Sequence, residues 1–417
     1  MTTTATTTPR FAAFQHRNFT LLWAGLLVSN VGTWMQNVAQ SWLVYQLTNS
    51  ALWLGLLGLS FAIPMIVLPL FSGAVVDRIN RIRLLYFTQT GAMLLALLLA
   101  ILTWTGKVNA VIILITSFFS ACLLAFDNPA RQALLPDLVP KRDLLNAISL
   151  NSATYTGAAL VGPALAGVLL IPLGAGTLFF LNAVSFLAVI VALAFMRGVP
   201  THGSGRQDTS LGKSALAGLS YTWNHRLILA LLGLSALVAL FGRSYQTLLP
   251  IFARDIWNGG PEGYGILLTA SGAGALVGAF GLASIPRVKN QGAVLISSGL
   301  IFSLTIILFA RSPYFWLGVL LLFLGGIALT VFSTIIASLI QMFVTNEMRG
   351  RVMSLYAITL IGLPSLGALV IGSLAEVMGG TSAAPRAVLI GGMAVAVILL
   401  IASSAFWKMD VDAIRPS

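Results

Sequence analysis

Charge is what this sequence has least of. Of its 417 residues only 8% are Asp, Glu, Lys or Arg, whereas 58% are hydrophobic, and the mean hydropathy is +0.95. A soluble chain cannot hide that much apolar surface, so a bilayer is required as its solvent. No Asp or Glu falls in the middle of an apolar run: Asp127 is expected at the end of one and Glu376 near the outer mouth. Cysteine is nearly missing too. Cys122 is alone and lies in an apolar run, which excludes an internal disulfide and leaves a packed thiol. The segment Met1–Pro9 is Thr-rich and lacks the basic start and apolar stretch of a cleaved signal peptide, so the first apolar run is expected to stay as a helix. There is no HExxH and no Cys/His cluster; His16, His202 and His225 are scattered. Leu211-Gly212-Lys213-Ser214 resembles a phosphate loop, but Gln207 stands where its first glycine is required. No enzyme, cofactor or metal is therefore expected.

What the sequence does have is apolar runs long enough to cross a bilayer, which takes roughly 20 residues. Irregular spans would leave backbone groups unsatisfied in lipid, and the runs are too long and too continuous for barrel strands. Helices are expected near 19–46, 52–76, 83–105, 108–127, 144–170, 175–196, 227–250, 263–285, 291–310, 314–340, 352–378 and 386–407. The fold class is an all-α membrane protein of twelve transmembrane helices in two pseudo-symmetric six-helix bundles. The expected domains are a tail 1–18, a bundle 19–196, a linker 197–226, a bundle 227–407 and a tail 408–417. The linker is rich in Gly, Ser, Thr and charge, with Gly203, Ser204, Gly205, Arg206 and Asp208. Val139, Ser149, Leu150, Gly162 and Gly167 recur 205 positions on as Val344, Ser354, Leu355, Gly367 and Gly372. Repeated halves with a site between them are the architecture of many secondary transporters.

With an even number of spans both termini share one side. Eighteen Lys and Arg residues fall there, against four (Lys107, Arg254, Arg311 and Arg386) on the other. The excess places that side in the cytoplasm, and the net charge of +12 needs no nucleic-acid partner. Asp77 and Arg78 are expected at the inner end of the second span, and Asp127 and Arg131 at that of the fourth. A carboxylate there can pair with Arg81 or Arg83, or meet a helix N-terminus. These groups are either solvated topology signals or a switch; acids do not help orientation, which favours the switch for Asp77, Arg81 and Asp127. Glu347, Arg349 and Arg351 are the counterpart in the second half.

Polar groups within spans are expensive, so their spacing is informative. Asn30, Trp34, Asn37 and Ser41 share one face of the first span, with Gln40 beside it. Arg243 and Gln246 repeat the Asn37/Gln40 spacing in the seventh. Thr330, Ser333, Thr334 and Ser338 form a stripe on the tenth; Ser117 and Ser120 do so more weakly on the fourth. Each hydroxyl either touches a ligand or bonds between helices. Arg243, expected in the outer third of its span, either serves function, where an anionic or catechol-like compound would suit it, or snorkels to the surface. Trp34 and Trp42 either stack on an aromatic ligand or anchor the chain at the membrane surface. The Gly162-Pro163 break is either a hinge or seal or a tight packing site, and Gly272, Gly274 and Gly278 are expected at a close helix contact.

Gly73-Ala-Val-Val-Asp77-Arg78-Ile-Asn80-Arg81-Ile-Arg83 resembles the signature loop of the major facilitator superfamily, G-x-x-x-D-R-x-G-R-R/K. Asn80 replaces a glycine, and Asn tolerates a left-handed turn. After Gly157, the run Ala158-Ala-Leu-Val-Gly162-Pro163-Ala-Leu-Ala166-Gly167 is similar to the exporter motif G-x-x-x-G-P-x-x-G-G, with two alanines for glycines. Phe19-Thr-Leu-Leu-Trp23, Asn128-Pro129-Ala-Arg131, Leu145-Asn146-Ala147 and Arg349-Gly350-Arg351-Val352 look like the enterobactin-exporter-type branch of drug and siderophore efflux proteins. The resemblance implies a bacterial plasma-membrane carrier, working as a monomer in the lipid bilayer. It would export a small drug- or siderophore-like molecule by alternating access as a proton antiporter; uniport, uptake or a receptor role are the alternatives. It further implies that spans one, four, seven and ten line the cavity. Asp77 would cap span eleven across the halves and hold the outward-facing state, with Arg81 and Asp127 completing a charge relay.

Overall fold

Inside a bilayer a backbone must satisfy its hydrogen bonds internally, in helices or closed barrels, and the computed structural model of the chain is helical, with no strand among the described residues. It describes residues 11–198, 219–286, 288–345 and 347–406, without the side chains at 70, 71, 73, 74, 77 and 405. Arg10, His202, Arg206, Lys213, Arg287, Lys408, Arg415 and most of the expected linker lie outside the described residues, as does the side chain of Asp77.

Among the described residues, nine helices are long and apolar enough to cross a membrane. One of them, Leu144–Phe195, comprises the fifth and sixth spans, which fold back on each other at a kink at Gly174, whose φ of 73° and ψ of 164° suit a residue without a Cβ. The first span, Arg17–Thr48, and the second, Ala51–Val67 continued by Pro69–Arg78, complete the twelve. The others are Arg81–Trp104, Ala110–Leu138, Arg226–Ile256, Gly260–Ala283, Gln291–Arg311, Phe315–Phe343, Arg349–Val377 and Ala384–Phe406. Three expectations need correction. The fourth span runs eleven residues beyond 127, to Leu138, so Asp127 lies within a helix rather than at its end. Residues 219–224, expected in the linker, are helical. Asn80 is not left-handed: at φ −57° it caps the third span, accepting from the amides of Ile82 and Arg83 at 3.0 and 3.2 Å.

Lipid gives apolar helices no hydrophobic reason to associate, so close packing of small residues must do it. A Cβ on Gly265 of the eighth span would stand 2.6 Å from the Gly167 Cα of the fifth. One on Gly274 or Gly278 would run into the Phe323 or Ile327 carbonyl of the tenth, which bears out the expected close helix contact. Gly162 packs against Trp34 and Val31 of the first span, whereas Gly157 faces open space. The halves meet along the fifth and eighth spans and along the second and eleventh. The second span packs on Leu363–Val377 and barely touches Arg349–Ile361, so the halves converge at the face opposite the termini, here the distal face, and part toward the terminal face.

Gly274→Val should therefore lower the melting temperature of the detergent-solubilised protein, with overpacking costing about 1–3 kcal/mol. Gly281→Ala, where a Cβ meets nothing within 4 Å, should leave it unchanged. Equal melting of the two variants would contradict this packing.

Candidate substrate cavity

The distal closure is polar. The Tyr45 hydroxyl of the first span donates to Asp255 of the seventh. Arg254 donates its Nε to Asp255 at 2.7 Å and a terminal nitrogen to Asn49 Oδ1 at 2.5 Å, and its guanidinium lies 4.1 Å from the centre of the Tyr45 ring. Ser50 Oγ donates to Glu376 at 3.1 Å. Below these groups Trp42 stacks on Tyr264 with centroids 6.3 Å apart. Trp42 is 3% exposed, so it is neither a surface anchor nor an open stacking platform. Arg254, placed on the outer side from sequence, is also part of a contact between the halves.

At the terminal face the expected relay runs through Asp77, whose side chain lies outside the described residues. Arg81 donates to Asp137 at 2.6 Å and to the Ala133 carbonyl at 3.0 Å, not to Asp127. Asp127 is 2% exposed, accepts from Thr88 and Gln89 at 2.7 Å each, and pairs with Arg131 one turn along its own helix. The longer fourth span sets both pairings: it carries Asp137 to the level of Arg81 and leaves Asp127 inside the bundle. Arg78 stands at the end of Pro69–Arg78. Glu347 and Arg349 are exposed, and Arg351 donates to the Met348 sulfur at 3.5 Å.

Between these ends the seventh span leaves regular geometry twice, in π turns at Val238–Gly242 and Phe252–Ile256. Such turns mark functional positions in helices. Arg243 directly follows the first, about midway along Arg226–Ile256 rather than in its outer third, and is only partly accessible. It does not snorkel. Its Nε is enclosed without a partner, and its charge acts on the hydroxyls of Tyr155, Tyr245 and Tyr356. Tyr155, on the fifth span, is 60% exposed, meets Trp34 edge-on at 5.9 Å, and lies within reach of Arg131. Tyr356 of the eleventh span donates to the Ser333 carbonyl at 2.7 Å.

The predicted stripes thus divide. Trp34, Arg243 and Ser333 come together around the three tyrosines. Asn37 is exposed midway along the first span, and Thr334 is exposed on the tenth, with Thr330 and Ser338 partly so. Asn30 is spent on Thr154 at 3.2 Å, an interhelical bond. Ser333 Oγ bonds its own helix at Leu329. Ser41 reaches Tyr264, and Gln246 reaches Tyr245. Gln40 is 5% exposed with its Nε2 unpartnered. Gly162 sits behind Trp34, and Gly167 and the Pro163 carbonyl lie at the seam of the halves, against Gly265. Tyr155, Tyr245, Tyr356 and Asp255 were missed. A phenol inside an apolar run, about two turns ahead of Gly162-Pro163 in the case of Tyr155, is the signal that could have found the tyrosines.

Two six-helix halves around a polar cavity define a membrane transporter of the major facilitator fold. A bacterial homolog of the human lysosomal transporter Spinster, solved inward-facing and unoccupied, superposes with a TM-score of 0.74 at 16% identity, over 94% of this chain and 96% of that one. The family model described as transmembrane secretion effector matches residues 8–416, and the chain belongs to that family. It is 25% identical to the staphyloferrin A transporter of Staphylococcus aureus, over 84% of this chain and 87% of that protein. It is 26% identical to the multidrug efflux pump Tap of Mycolicibacterium fortuitum (85% and 88% covered) and 23% identical to macrolide efflux protein A of Streptococcus pyogenes (81% and 84%).

Hydrogen bonds to charged groups contribute about 1.5–3 kcal/mol each, so losing those at Asp255 should unlock the distal face. With Cys122→Ser as background, Asn37→Cys should react with a membrane-impermeant thiol reagent from the terminal face. Adding Asp255→Asn should open it to reagent from the distal face as well. Labelling unchanged by Asp255→Asn would show that these bonds do not hold the closure.

Proposed function

We propose that this chain is a secondary exporter that moves a small amphipathic or anionic organic molecule out of the cell by alternating access. One observation carries the reading: the described bonds between the halves gather at the distal face, while a polar, aromatic cavity lies between them on the way to the terminal face. That is what a carrier needs when it loads from one side. The efflux and siderophore-transport functions in the names of its relatives favour export of a drug- or siderophore-like cargo. The excess of basic residues favours a cytoplasmic terminal face, in a bacterial plasma membrane.

In this reading the rocking bodies are 19–196 and 227–407, joined by the linker 197–226, and the protein works as a monomer without a cofactor and without catalysing a reaction. Asp77, Arg78 and Arg81 on one half and Glu347, Arg349 and Arg351 on the other close the terminal face in the alternate state. Gly157, Gly162, Pro163 and Gly167 form the pivot along the fifth span. Transport is antiport against protons, and Asp127, a carboxylate within a helix beside neutral donors and one arginine, is the group best suited to carry the coupling proton.

The test is efflux of a fluorescent drug-like compound from vesicles holding the purified protein, with and without an imposed pH gradient. Gradient-driven flux that falls sharply in Asp77→Asn, and that loses its dependence on the gradient in Asp127→Asn, is the expected result. Flux indifferent to the gradient in the parent protein would replace the antiporter with a uniporter. Accumulation against the expected direction would replace it with an uptake carrier.

A further inference from the structure

A buried guanidinium is costly unless an anion completes it. Arg243 has no such anion among the described residues. Its Nε is enclosed and unpartnered, and the groups its charge acts on are three neutral phenols, Tyr155, Tyr245 and Tyr356. The other arginine near Tyr155, Arg131, is already balanced by Asp127. The pocket therefore carries one uncompensated positive charge. Beside it stand two aromatic faces, Trp34 and the half-open Tyr155, with ring centroids 5.9 Å apart.

We propose that Arg243 is the receptor for the carboxylate of an aromatic organic acid, whose ring lies against Tyr155 and Trp34. One net charge calls for a monoanion rather than a doubly charged phosphate. The planar fork of arginine matches the two oxygens of a carboxylate, with the phenols as additional donors. Aromatic walls favour an aromatic body over an aliphatic one. The inference rests on the export reading for the claim that this acid is cargo; the binding site itself does not depend on it.

The probes are 1-naphthoate and its neutral, equally shaped amide, 1-naphthamide, titrated calorimetrically into the purified full chain in detergent, with melting temperatures recorded in parallel. Naphthoate should bind saturably and raise the melting temperature, and the amide should bind at least about tenfold more weakly, the difference a charged hydrogen-bonded pair makes. Arg243→Gln should abolish that preference and, with no ligand present, should melt higher than the parent, because it removes an unneutralised, partly buried charge. Arg243→Lys, which keeps the charge without the fork, should fall between. If the glutamine variant does not fold, Arg243→Lys and Tyr155→Phe carry the test, each reducing the preference for naphthoate.

The proposal is overturned if naphthoate does not bind the parent, if acid and amide bind alike, or if ligand-free Arg243→Gln melts lower than the parent. Arg243-dependent binding without flux in vesicles would refute the export reading and leave the receptor. Flux of naphthoate unaltered by Arg243→Gln would do the reverse.

Discussion

Where the fifth and eighth spans cross, Gly167 and Gly265 bring two backbones so near that a single added Cβ would collide, and this contact sets the geometry of the distal face. Helices in lipid gain little by burying leucine, so the seam between the halves must be held by shape and by polar bonds. The glycines supply the shape. Just beyond them, Tyr45, Asn49, Arg254 and Asp255 supply the bonds, in a place where first- and second-half helices already lie close. A wider residue at the crossing would separate these donors from their acceptors, so the polar closure depends on the small residues beneath it. The second seam, between the second span and Leu363–Val377, ends likewise in a polar bond, Ser50 to Glu376.

The cavity follows an opposite logic. At the distal face Arg254 and Asp255 pair with each other and bond across the seam, whereas Arg243 is surrounded by neutral groups. A protein under pressure for stability alone would replace such an arginine with an apolar residue or supply a carboxylate. Keeping it unpaired makes the ligand the missing counter-charge, so the cost of burial in the empty state becomes selectivity in the occupied one. Asp127 and Arg131 illustrate the contrast nearby: a buried pair, satisfied further by Thr88 and Gln89.

Much of this was legible in the chain, for physical reasons. Hydropathy placed the spans, because lipid leaves an apolar chain few other solutions, and the split of Leu144–Phe195 falls between the expected spans 144–170 and 175–196. Arg243 stood out because charge within a span is rare. What escaped notice depends on pairing between distant segments. Asp137 and Asp127 are ten residues apart on one helix, and only the true end of that helix decides which of them meets Arg81. Arg254 and Asp255 read as loop charges because nothing local shows that the first span brings Tyr45 to them. The tyrosines around Arg243 come from three different spans, and in sequence each is an unremarked polar-tipped residue in an apolar run.

The seventh span ties the two regions together. Its π turns at Val238–Gly242 and Phe252–Ile256 bracket one short helix, Tyr245–Ile251, so that Arg243 precedes this helix and Arg254 and Asp255 follow it. A π turn carries one residue more than the regular ladder requires and is frequent at functional sites. Under the proposed binding, a carboxylate drawn onto Arg243 would pull on one end of a seven-residue helix whose other end leads to the distal closure. Because interfaces packed backbone to backbone cannot deform gradually, a shift of that unit either leaves the Asp255 contacts intact or breaks them together. On that geometry, the same helix that recognises the ligand also sets whether the far side is shut.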